Sequence, residues 1–194
     1  HMKRFQCHCG APIFFDNHQC LQCGARVGFD PQSMSMVPAE EHADLAYCGN
    51  HDHGVCNWLR PAESEDDLCQ ACQFNRTIPN LDLPHNTERW AALERAKKRL
   101  FYSLYQLGLP VADGWQADTR GLLFDFLDDA RTQPETYPDT YITSGFAEGV
   151  ITINVLEADD VARTATQAEL RERYRTLLGH FRHESGHYFW SCLL

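Results

Sequence analysis

No stretch of the 194 residues approaches the run of about 18 apolar positions that a membrane-spanning helix needs. The N-terminus also lacks the apolar core of a secretory signal. His1-Met2 reads as a cloning remnant before the true start, and a cytoplasmic protein is expected. Basic charge is scarce. Seventeen Lys and Arg against 27 Asp and Glu leave a formal net charge of -10, which argues against a nucleic-acid partner. Cysteine is absent between positions 73 and 191, although the chain holds nine. Disulfide-stapled domains do not usually divide this way. A metal-stapled front and an ordinary back half do.

Eight of the nine cysteines fall in the first 72 residues. Cys7 and Cys9 precede Gly10, and Cys20 and Cys23 precede Gly24. Two such knuckles with a short hairpin between them predict a zinc ribbon over residues 3–30, with four thiolates around one structural zinc. The first knuckle is tighter than the usual C-x2-C, so His8 and Cys9 are both considered as the ligand. Cys48, Cys56, Cys69 and Cys72 predict a second four-cysteine zinc module over residues 45–80, with His51 and His53 as competing donors inside the looser pair. Four thiolates close a tetrahedral shell, so neither site should do chemistry. Residues 31–44 read as a linker, and Trp58, Leu59 and Phe74 as a small apolar cluster beside the second site.

Residues 85–194 read as a mixed domain. Asn86 or Thr87 is the expected N-cap of an amphipathic helix of about 20 residues through Leu107, with Arg89, Glu94, Lys97 and Lys98 on a solvated face. The segment from Gly121 to Leu127 is apolar, and Tyr141–Thr143 and Gly149–Val155 read as strands. Gly149–Val155 is the candidate edge strand. Tyr174, Leu177, Leu178, Phe181, Tyr188 and Phe189 mark a last helix. The expected class is therefore α+β: zinc-ribbon modules, then the first part of a zincin-like domain.

That last helix contains His183-Glu184-Ser185-Gly186-His187, the H-E-x-x-H pattern. Two histidines four apart leave one helix face and can grip one metal ion, and Glu184 beside them is the candidate general base. Gly186 is read as room for a close neighbour, and His180 as supporting or surface. The chain ends seven residues after His187, so it is expected to hold two of the three ligands of a hydrolytic zinc.

The ribbon with Phe14–Asn17, the stretches Gly54–Leu59 and Cys69–Pro79, the strand Glu148–Asn154 and the run Tyr174–Glu184 together resemble a bacterial family of zinc-binding metallopeptidases with an N-terminal zinc ribbon. The resemblance implies a gluzincin-like peptidase whose third ligand comes from a later helix. It departs after Trp190, where Ser191 and Cys192 stand in place of the family's aspartate and arginine. The expected function is a zinc-dependent metallopeptidase acting on a peptide or protein, inactive in this truncated chain. The alternative is a non-catalytic zinc-binding protein-interaction module. Zinc is expected at both cysteine sites, with His183 and His187 a candidate third site. Substrate and oligomeric state are not legible.

Overall fold

The computed structural model describes residues 4–116, 120–159 and 176–193. The chain separates into two compact units, His1–Cys72 and Gln73–Leu194.

The first unit is built from three antiparallel two-stranded ladders. They are β1 (Phe5–Gln6) with β2 (Pro12–Ile13), β3 (Val27–Asp30) with β4 (Ser35–Pro38), and β5 (Leu45–Tyr47) with β6 (Leu59–Pro61). Strands this short are not stable as isolated hairpins. Their apolar side chains meet instead in one small core: the Phe29 ring lies 4.8 Å from both Phe15 and Trp58, and 6.4 Å from Phe5. The backbone joins the same elements, with Phe29 N donating to Asn57 O at 2.9 Å. Asn57 Nδ2 donates to the Phe15 and Asn17 carbonyls at 2.8 and 2.9 Å. Two expectations change here. Residues 31–44 are not a bare linker, because they carry β4 and bury Met36. Trp58 packs against the ribbon phenylalanines Phe15 and Phe29, while Phe74, in the second unit, has its ring 4.7 Å from Phe101.

The second unit is α+β. Its sheet has the order β7 (Asn75–Thr77), β8 (Leu123–Leu127), β10 (Val150–Asn154), β9 (Gly145–Ala147). β8 runs parallel to β7 and β10, and β9 pairs antiparallel with β10. β10 is therefore internal, and among the described residues β7 and β9 are the edges, which corrects the expected edge strand. The residues Tyr141–Thr143 are irregular; the hairpin partner of β10 lies a few residues later, at Gly145–Ala147.

Helix α1 (Asn86–Gln106) begins after His85, which sits in the left-handed region at φ 66 and carries no side-chain cap. Asn86 is thus the first helical residue rather than the cap. Its Nδ2 donates to Asn80 O and Asp128 Oδ1, both at 2.9 Å. The expected wet face of α1 is also corrected: Glu94, Lys97 and Lys98 are buried. Lys97 Nζ lies 2.9 Å from Glu94 Oε2 and within 5.8 Å of the Phe124 and Phe126 ring centres. Trp90 Nε1 and Asn75 Nδ2 also donate to Glu94. A charge this deep is tolerable only when paired and hydrogen-bonded in this way. Helix α2 (Leu177–Leu193) packs on the sheet through Phe181, whose ring lies 5.8 Å from Phe124 and 6.1 Å from Phe126. Tyr174, expected in the same helix, lies outside the described residues.

Candidate metal centres

The ribbon knuckles form because glycine follows each cysteine pair. Gly10 and Gly24 take φ values of 85 and 75, and their N–H groups donate back to the Cys7 and Cys20 carbonyls at 2.9 Å. This brings the Sγ atoms of Cys7, Cys9, Cys20 and Cys23 within 4.8 Å of one another, with Cys7–Cys23 at 3.6 Å and Cys9–Cys20 at 3.7 Å. Zinc–sulfur bonds of about 2.3 Å give a tetrahedron with edges of about 3.8 Å. The thiols are spaced as zinc ligands, far beyond the ~2.05 Å of a disulfide. Cys9 is one of the four. His8 stands outside the set, its Nε2 3.7 Å from Cys23 Sγ and its Nδ1 2.7 Å from Glu41 Oε1.

Cys48, Cys56, Cys69 and Cys72 form the second cluster, again with all four sulfurs within 4.8 Å. Cys56 lies 3.7 Å from Cys69 and 3.8 Å from Cys72. All four are buried, whereas Cys23 in the first cluster is exposed. Backbone N–H groups of Cys69 and Trp58 donate to the sulfurs of Cys48 and Cys56 at 3.3 and 3.4 Å, which favours thiolate. His51 is not a ligand here: its Nδ1 lies 2.8 Å from the Cys56 carbonyl, and its ring stacks on Tyr47 with centres 3.9 Å apart.

The thiols are not equivalent before metal arrives. Backbone N–H groups of Cys23 and Gln22 pull the Cys20 thiol down to about 6. Cys23 is favoured as thiolate by the Ala25 amide, yet desolvation and the three neighbouring thiols push it up to about 12. Burial pushes Cys69 well above its usual value. Filling either cluster with a dication must therefore expel protons.

The motif helix presents a different arrangement. His183 and His187 are exposed, with their Nε2 atoms 3.2 Å apart and ring planes at 86°. Two imidazoles on one tetrahedral zinc would hold their nitrogens about 3.3 Å apart, so the pair has the right bite for two ligands. Among the described residues, however, the only groups of three or more candidate ligands are the two cysteine clusters. Glu184 is buried at 6% exposure, and His180, also buried, donates from Nε2 to its Oε1 at 3.0 Å. Gly186 faces open space rather than a close neighbour. His180 was underread in sequence, although its spacing of four from Glu184 was the available signal.

A family profile described as "Putative zinc-binding metallo-peptidase" matches residues 86–194. The chain belongs to this family. A zinc-ribbon domain profile matches residues 4–83, over the two cysteine clusters. Similar curated proteins include uncharacterized proteins of Mycobacterium bovis and of two strains of Mycobacterium tuberculosis, each 37% identical over 194 residues. The match covers 100% of this chain and 54% of each relative, so the chain spans about half the length of these curated proteins. No solved structure matches it. Among the described residues no helix is long and apolar enough to cross a membrane.

Proposed function

We propose that these 194 residues act as a non-catalytic, zinc-stapled protein-binding module of a metallopeptidase-family protein. The observation that carries this reading is the contrast in donor count. Each cysteine cluster supplies four ligands and leaves no open position, while His183 and His187 have no third donor among the described residues. Closed sites fold a module; hydrolytic sites keep three protein ligands and one opening. Exposed Phe14 and Leu21, 69% and 94% accessible, stand at the ribbon hairpin and its second knuckle and would be the first contacts for a protein partner. Reduced cysteines and thiolate zinc sites fit a reducing compartment such as the cytoplasm. The test is proteolysis of a generic unfolded protein by the zinc-loaded chain. No cleavage is expected. Cleavage that disappears in Glu184→Ala would overturn the reading.

The 3.2 Å convergence of His183 and His187 supports a second reading. In it the pair is half of a zincin-like hydrolytic site, completed by a ligand from the part of the longer relatives that this chain does not span. A bound zinc would supply Lewis acidity to water and to the peptide carbonyl. In that protein His183 and His187 hold the ion, Glu184 takes and returns a proton at its carboxylate, and the edge strand β9 pairs with an extended peptide.

A further inference from the structure

A buried polar chain leads from the loop after β8 into the motif helix. Asp129 is fully buried and accepts from the Arg131 guanidinium, from Ile142 N at 3.0 Å and from Asn154 Nδ2 at 2.7 Å. Asn154 ends β10, and its Oδ1 accepts from Leu156 N at 2.9 Å, capping the turn Val155–Ala158. That turn sets buried Glu157 against α2, with its Oε2 3.8 Å from His180 Nδ1. The other ring nitrogen of His180 holds Glu184.

His180, His183, Glu184 and His187 are spaced 0, 3, 4 and 7 along α2, so one stripe carries both candidate ligands and the buried imidazole–carboxylate pair. The helix does not need His180 to dock. Phe181 already packs on β8, and Tyr188 donates from its hydroxyl to Arg120 O at 2.7 Å. Burying an imidazole between two carboxylates is costly as packing alone. It is useful as an orienting device, because the Nε2 hydrogen bond to Glu184 holds that carboxylate in one rotamer while Glu157 lies on the other side of the ring.

We infer that His180, set beside Glu157, is a positioning residue that holds the Glu184 carboxylate beside a metal bound by His183 and His187. The inference rests on the second reading above. In the longer protein the same residues would keep the general base aligned; in this chain they would orient the water that completes a metal's shell on the histidine pair.

The test is a titration of cobalt(II) into the chain with both cysteine clusters already filled by zinc, reading the visible d–d bands of nitrogen-bound cobalt. The wild-type chain should bind one further cobalt weakly. His180→Ala should weaken that binding about 10- to 100-fold, the usual cost of losing an outer-shell partner. Glu184→Gln should weaken it to a similar extent, and the double variant no further, because the two residues act as one unit. His180→Gln, which retains a donor, should recover most of the affinity. Retention of two zincs in every variant shows that the fold is kept; if His180→Ala loses them, Glu157→Gln takes its place and should weaken cobalt in the same direction. Unchanged affinity in the variants, or losses that multiply in the double variant, would overturn the positioning role alone. No d–d bands in the wild-type chain would overturn the second reading, and the inference with it.

Discussion

The two units of this protein solve the problem of holding an ion in opposite ways. In the first, eight cysteines from knuckles and short ladders converge into two four-sulfur clusters beside one small aromatic core. In the second, a packed sheet and helices α1 and α2 exist first, and a pair of histidines is displayed on the surface of α2. The lesson is one of dependence. The ladders of unit one cannot stand without their ligands being joined, so metal binding is folding there. The second unit owes its stability to Trp90, Phe101, Phe124, Phe126 and Phe181 and is expected to keep its shape with the histidines empty.

Chelation breaks this comparison most severely. Stripping metal should unfold the first unit, a loss on the order of 10 kcal/mol of apparent folding free energy at neutral pH, and leave the second folded. Amide NMR with and without chelator checks this: signals of 4–72 should collapse while those of β8, β10 and α1 stay dispersed. Equal survival of both units would remove the distinction.

The next largest effect concerns what replaces metal in the second unit. Lys97→Ala leaves Glu94 buried and uncompensated and should cost about 3–5 kcal/mol by denaturant unfolding. Replacing both, with Glu94→Gln and Lys97→Met, should recover much of that loss. Cysteine-site zinc content should not change in either variant.

A smaller effect follows from Asp129. The Arg131 guanidinium and the Ile142 and Arg131 backbone N–H groups outweigh the burial of this carboxyl and hold it at about 2, against an ordinary value of 3.8. Because the folded value is depressed, its stabilisation is present above about pH 4 and lost as pH falls toward 2. The full contribution is about 2 kcal/mol. Asp129→Asn should flatten that part of the acid-stability curve, measured as the wild-type minus variant difference between pH 5 and 2.

The least disruptive comparison lies inside the first unit. Cys23 is exposed while Cys48, Cys56, Cys69 and Cys72 are all buried. A thiol-reactive reagent at low excess should therefore modify the ribbon cluster and release its zinc before touching the second, as peptide mapping of partly reacted protein would show. Simultaneous modification of both clusters would mean that their exposure does not govern access.

Which parts were legible in sequence follows from the range of the interactions. Cysteine spacing encodes its own geometry locally, so both clusters could be read residue by residue, as could α1 and β10 from their periodicity. Lys97 was misread as solvated because its burial depends on Glu94 and Asn75 and on the Phe124 and Phe126 rings, contributed by a strand far along the chain. The edge position of β9 depends on pairing order, which no single strand announces. Trp58 was assigned to the second cysteine module because it follows Cys56, whereas its partners Phe15 and Phe29 come from the ribbon. For the motif helix, the H-E-x-x-H pattern was visible, but the turn that brings Glu157 to His180 was not.

Zinc per chain, determined by elemental analysis after exhaustive dialysis of the reduced protein, tests the central claim most directly. Two zincs per chain are predicted, one for each cysteine cluster, with the histidine pair too weak to retain an ion alone. Three retained zincs, falling to two in His187→Ala, would contradict the account and make the motif helix a metal centre in its own right.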